Sequence, residues 1–186
     1  MSTYRASDDI STTMIYVLGL NHHLEQFRHV GNDPKAVARL QNYVRVFCTE
    51  KSIQLIAEEW SDDATKYWEV ESTYCEDVAT DLGIAYLPCD PNLTERARLG
   101  IRSRQEIAEE LGIEFAMVHF YPEDEELVNA AAGGEDIKRE RHWLEKLIEP
   151  AVASERILLL CGYEHVERFI TLAQREGYQA TRIAVQ

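Results

Sequence analysis

Long apolar runs are missing from this chain of 186 residues. No stretch approaches the roughly 20 apolar residues that a membrane-spanning helix needs, so a membrane is not an expected partner. The opening segment, Met1 to Thr13, is polar and has no apolar signal-peptide core. It reads as a short flexible lead-in (residues 1–13) to a single α/β domain over residues 14–186, and the expected location is the cytoplasm. Paired cysteines are missing too. Cys48, Cys75, Cys89 and Cys161 form no C-x-x-C pair and match no zinc-site spacing. They are expected as reduced, packed thiols, Cys161 included, since a buried strand cysteine outweighs a catalytic one there.

Positive charge is scarce: 19 Lys and Arg stand against 33 Asp and Glu, for a formal net charge of −14. A chain this acidic repels phosphate backbones, so nucleic acid is not an expected partner. The one basic cluster, Arg96, Arg98, Arg102 and Arg104, is flanked by acidic segments and reads as a solvated helix face. Several signatures are also absent. There is no P-loop and no full G-x-G-x-x-G, which leaves nucleotide binding by those routes unsupported. G-x-S-x-G is absent, which argues against a standard serine hydrolase, and so is H-E-x-x-H.

What is present is a repeated tetrad. Gly19-Leu20-Asn21-His22 follows the run Met14–Leu18, and Gly162-Tyr163-Glu164-His165 follows Ile157–Cys161. A short β-branched or leucine-rich run that stops at Gly reads as a buried strand ending in a tight turn. Each His then falls at or beyond a strand's carboxyl end, the edge where open α/β sheets bind ligands.

The rest of the pattern supports such a sheet. Asp33-Pro34 reads as an N-cap and first helical position, and Val37, Leu40, Val44 and Phe47 follow at helical spacing. Met14–Leu20 is the first expected strand and Ile53–Ala57 the second. Asp62 or Asp63 opens a helix running to Asp81, stopped by Gly83. Ile84–Leu87 is the third strand. Ile101–Leu111 reads as a helix, Phe115–Tyr121 as a helical turn or short strand, and Gly133-Gly134 as a flexible link. Asp136–Val152 is a long amphipathic helix, Ile157–Cys161 the fourth strand, His165–Arg175 the closing helix, and Tyr178–Val185 an edge strand. A βαβαβ start, a helical middle and a C-terminal βαβ predict a mostly parallel central sheet flanked by helices.

Imidazole suits acid–base work near neutral pH and is a common metal ligand. His22 and His165 are therefore candidate metal ligands, acid–base groups or binders of a polar ligand. The second strand ends in Glu58-Glu59-Trp60, and strand alternation sends one carboxylate to each face of the sheet. A carboxylate joining two His suits a divalent metal, with His22, Glu58 and His165 as the trio; the same groups can orient and deprotonate a water without metal. Glu58 is favoured over Glu59 because it lies nearer the strand. Asp90 follows the third strand and reaches the same edge, or else serves as a turn residue. Arg139 stands near the expected start of a helix, where its charge opposes the dipole, which hints at an acidic partner or an anionic ligand.

Gly19 with His22, Gly162 with His165, Glu58 or Glu59, and Arg139 with Glu140 and Trp143 together resemble the TraB/TIKI proteins. Wider relatives of that family include ChaN-like haem-binding proteins and the erythromycin esterases. The resemblance spans about Met14 to Tyr178. It implies a metal-dependent peptidase if the TIKI likeness holds, metal-independent lactone hydrolysis if the esterase likeness holds, and ligand binding if the ChaN likeness holds. The resulting expectation is a small hydrolase acting on a small-molecule or peptide substrate. Glu58 or Glu59 would activate water and Arg139 would hold a substrate anion or oxyanion, with or without a divalent metal. The alternative is a non-catalytic ligand-binding or regulatory protein using the same cleft. A homodimer is the default assembly.

Overall fold

The computed structural model describes residues 13–20, 34–67, 69–149 and 154–184. Residues 1–12 of the lead-in, the Asp33 cap and His22 lie outside the described residues.

Five strands form one sheet: β1 (Met14–Leu20), β2 (Leu55–Glu58), β3 (Ala85–Pro88), β4 (Arg156–Gly162) and β5 (Gln179–Ile183). Their order is β3-β2-β4-β1-β5, and every neighbouring pair is parallel. The apolar runs explain this. A strand buried on both faces reads as a continuous apolar stretch, and β4 is buried at every position after Arg156.

The connections supply the layers. On one face, α1 (Pro34–Lys51) and α3 (Tyr74–Leu82) cover the sheet; Leu40, Val44, Cys75 and Val78 pack on Ile56, Leu158 and Leu160. On the other, α6 (Pro122–Ile148) and α7 (Val166–Arg175) pack Trp143, Leu147, Val166 and Phe169 on Ile15, Val17, Leu159 and Cys161. Burying each such side chain contributes about 1.5–3 kcal/mol. None of the four cysteines is in a disulfide, and all are buried.

Several boundaries depart from the sequence expectation. The helix expected from Asp62 to Asp81 is two helices, α2 (Asp62–Tyr67) and α3. A capping box restarts the chain: Thr73 Oγ1 accepts the Glu76 amide at 2.9 Å while the Glu76 side chain accepts the Thr73 amide. After α4 (Leu93–Leu99), the helix expected from Ile101 begins only at Arg104, as α5 (Arg104–Glu110), behind a second capping box on Ser103. Phe115–Phe120 is a 3₁₀ turn.

The largest correction concerns Gly133-Gly134. They are no link but lie inside the 27-residue α6. Tertiary packing overrides their poor helix propensity. The helix is held on one side of the glycines by Val128 and Ala132, packed on Ile107 and Val118, and on the other by Trp143 and Leu147 against the sheet. Arg139 is consequently far from the helix start, so the dipole argument for it falls away.

The winding places a crevice. From β1 the chain passes over α1 toward β2, across one face. From β4 it passes over α7 to β5, across the opposite face and in the opposite direction. β1 and β4 are neighbours, so their carboxyl ends mark the topological switch point where open α/β sheets hold ligands. The two tetrads start there: Gly19 pairs with Cys161, and Leu20 with Gly162.

Candidate functional site

At the carboxyl end of β2, the two carboxylates part as strand alternation requires. Glu58 is fully buried and turns to the α3 face, where its Oε2 accepts the Thr73 and Tyr86 hydroxyls at 2.6 Å each. Burial, then the neighbouring Glu58 charge, raises the Tyr86 phenol far above its ordinary range. Glu59 turns to the α6/α7 face. Its Oε2 accepts the Gly162 amide at 2.7 Å and its Oε1 accepts Arg139 Nη2 at 2.5 Å. The preference for Glu58 over Glu59 is thus reversed: Glu58 and His165 lie on opposite faces and cannot share a metal or a water.

Helix α6 brings its polar groups to this edge on one stripe. Asp136, Arg139, Glu140 and Trp143 follow helical spacing, so they share a face. Arg139 bridges three carboxylates: Glu59, Asp90 at 2.9 Å and Asp136 at 3.5 Å. Its guanidinium also sits 5.4 Å from the Trp143 ring centre. Asp90, beyond β3, receives Trp143 Nε1 at 3.0 Å and Arg96 Nη2 at 2.6 Å. Burial pushes the Asp90 carboxyl up, but the Arg139 and Arg96 charges and the hydrogen bonds from Trp143 and Arg96 outweigh it, and its pKa ends below the usual value. Asp90 is therefore a member of this cluster rather than only a turn residue.

His165 ends the short 3₁₀ turn Tyr163–His165 that joins β4 to α7. Its Nδ1 lies 2.8 Å from Glu140 Oε1, and its Nε2 lies 3.6 Å from Glu59 Oε1. The ring meets Trp143 edge-on at 5.0 Å. Burial alone would depress its pKa, but the Glu140 hydrogen bond and the Glu59 charge reverse the sign, so the imidazolium is favoured. Arg168, one turn along α7, donates to the same Glu140 oxygen at 2.9 Å and pairs with Asp136 at 3.2 Å.

The result is one alternating network of carboxylates (Glu59, Asp90, Asp136, Glu140) and cations (Arg96, Arg139, Arg168, His165). Its inner members are nearly closed to solvent, with the His165 and Glu140 side chains each 2% exposed. Arg139 and Asp136 are somewhat more open, at 15% and 16%, and Arg96 and Arg168 are the most exposed members, at 28% and 40%.

Of the residues singled out in the sequence, Glu59, Asp90, Arg139, Gly162 and His165 meet here. Gly19 lies beside them: a Cβ on it would meet Val166 Cγ2 at 2.7 Å and Tyr163 Cα at 3.2 Å, so glycine lets the 3₁₀ turn close over β1. His22 is outside the described residues. Among the described residues no group of three or more His, Cys, Asp or Glu is arranged to hold a metal ion. Cys89 and Cys161 are fully buried in the core of this face, and burial pushes both thiols well above their ordinary range.

Sequence reasoning missed Asp136, Arg168 and Arg96 and gave Glu140 no part in the site. The i, i+3, i+4, i+7 spacing of Asp136, Arg139, Glu140 and Trp143 was the available signal. Arg168, one turn beyond His165, was its counterpart on α7.

No family model matches this chain, and neither a curated protein nor a solved structure matches it significantly.

Proposed function

We propose that this chain is a hydrolase of small-molecule or peptide substrates, of the kind the TraB/TIKI resemblance implies, with water activated between Glu59 and His165. The observation that carries the proposal is the Glu140–His165–Glu59 line. Glu140 engages Nδ1 at 2.8 Å and so leaves Nε2 facing Glu59 Oε1 at 3.6 Å, across the switch-point edge. A carboxylate on Nδ1 orients the ring and sets the atom that exchanges the proton.

In the resulting cycle Glu59 takes a proton from the attacking water. The His165 imidazolium protonates the leaving group from Nε2, and the Glu59 proton then passes to His165. Arg139 stabilises the oxyanion. Four buried thiols outside any disulfide suit a reducing compartment, and we place the enzyme in the cytoplasm.

One observation favours a second reading, a non-catalytic ligand-binding protein: Arg139 is already engaged by three carboxylates. A panel of ester, lactone, phosphate and peptide substrates separates the two, run on wild type, Glu59→Gln, His165→Asn and Glu58→Gln, with metal content and melting curves recorded. The hydrolase proposal expects Glu59→Gln and His165→Asn to lose roughly 10²–10⁴-fold in kcat. Glu58→Gln, on the other face, is expected to retain activity. Equal activity in all four, or none from folded wild type, rejects the enzyme and leaves the binding protein.

A further inference from the structure

A cleft of about 380 Å³ opens between α6 and α7, walled in part by the Glu140–Arg168 pair that also engages His165. Arg141 and Arg175 line it, together with the apolar Ile137 and Leu172. Small-molecule sites occupy about 300–1,000 Å³ and combine apolar walls with a few placed polar groups.

The charge pattern is the telling feature. The chain carries 33 acidic side chains against 19 basic ones. Arg45, Arg96, Arg102, Arg139, Arg168 and Arg182 each pair with a carboxylate. Arg39, Arg98, Arg104, Arg141 and Arg175 make no hydrogen bond or ion pair among the described residues, and of these Arg141 and Arg175 line this one cleft. Arg175, in the last turn of α7, is favoured by the negative end of the helix dipole, equivalent to about half a unit charge, but has no carboxylate partner among the described residues. That dipole has no bearing on Arg141, which belongs to α6. Of the two acidic residues lining the cleft, Glu140 is taken up by His165 and Arg168, and Glu167 pairs with Arg182. Ile137, 52% exposed, leaves an apolar wall beside the two guanidiniums.

We propose that this cleft binds a small amphipathic anion. A carboxylate or phosphate group would sit against Arg141 and Arg175, with the apolar body of the ligand on Ile137 and Leu172. Guanidinium forks suit both anions, and their hydrogen bonds are of the stronger, charge-assisted kind.

The test is titration of the full chain with phenyl phosphate and with 4-phenylbutyrate, followed by amide chemical shifts. Inorganic phosphate and benzyl alcohol serve as controls. At least one of the organic anions is expected to bind saturably, with shifts centred on the residues lining the cleft, and inorganic phosphate and benzyl alcohol are expected to bind more weakly. The double variant Arg141→Gln/Arg175→Gln, altered only at exposed positions, is expected to keep its melting temperature and weaken that binding about tenfold or more. Ile137→Asp is expected to weaken it as well. Failure of both organic anions to bind, unchanged affinity in the double variant, or inorganic phosphate binding as tightly as the organic anion would each overturn the site. No turnover is measured, so the outcome is independent of the hydrolase proposal.

Discussion

Glu140 holds His165 by its Nδ1 at 2.8 Å, and both side chains are almost closed to solvent. One helix thereby fixes a ring carried on the turn before another. Because the pair is buried, its titration is a property of the fold as well as of the site.

The first expectation concerns pH. The His165 pKa is raised above the ordinary 6.5. A raised folded-state value contributes stability that is fully present below the unfolded pKa and is lost as pH rises through the folded one. The stability difference between wild type and His165→Gln should therefore shrink as pH climbs above the ordinary histidine value of 6.5. By NMR, the His165 titration midpoint should lie above 6.5 and drop in Glu140→Gln. A wild-type midpoint at or below the ordinary value would contradict the geometry. His142 serves as an internal control of opposite sign. Burial and Lys146 lower its pKa, so its contribution is present above the unfolded pKa and is lost as pH falls through the folded one.

Arg139 neutralises Glu59 and Asp90, whose side chains are 6% and 9% exposed. Arg139→Met leaves those charges without their shared cation and should cost about 3–5 kcal/mol in urea unfolding. Arg139→Lys should recover only part of the loss, because an ammonium cannot reproduce the forked contacts. A loss below about 1 kcal/mol for Arg139→Met would show that the network is not a coupled unit.

Gly19 is required by close approach. Gly19→Ala places a Cβ 2.7 Å from Val166 Cγ2, inside contact distance. Overpacking of this kind should cost about 1–3 kcal/mol. Adding Val166→Ala should recover part of that cost, with the remainder set by the Tyr163 backbone at 3.2 Å. Strict additivity in the double-mutant cycle would rule out that contact as the cause.

Gly133 and Gly134 have open space where a Cβ would be. Inside a helix each Gly→Ala change should stabilise by about 0.5–1 kcal/mol, and the pair should raise the melting temperature. Destabilisation would mean that the helix is interrupted there in solution.

The thiols offer a check on the core. All four cysteines are buried, and burial pushes the Cys48 thiol up to about 12. A thiol reagent such as DTNB should label none in the native protein at neutral pH and all four after denaturation. Rapid native labelling of Cys161 would show that the sheet edge opens.

The sheet was legible because strands buried on both faces carry an unmistakable pattern. Met14–Leu20 is β1 as read from its apolar run, and the parallel winding follows from the alternation of elements. Helix ends were less legible. Thr73 and Ser103 start helices that apolar spacing alone places earlier, because a capping box acts through two side chains and leaves no periodic trace. The continuity of α6 through two glycines was not legible at all, since contacts distant in sequence support it.

The site divides in the same way. Local chemistry settled that a strand ending in Glu58-Glu59 sends one carboxylate to each face, and that His165 stands at a strand's carboxyl end. Which carboxylate faces His165 depended on which helices cover which face, and strand order alone decides that. Only the packing of α6 and α7 brought Glu140 to Nδ1 and Asp136 to Arg168, residues 25 and 32 positions apart in the chain. The sequence determined which groups had to be satisfied, because a buried charge needs a partner. Tertiary structure decided the partners, because ion pairs form between whatever side chains the topology brings within reach.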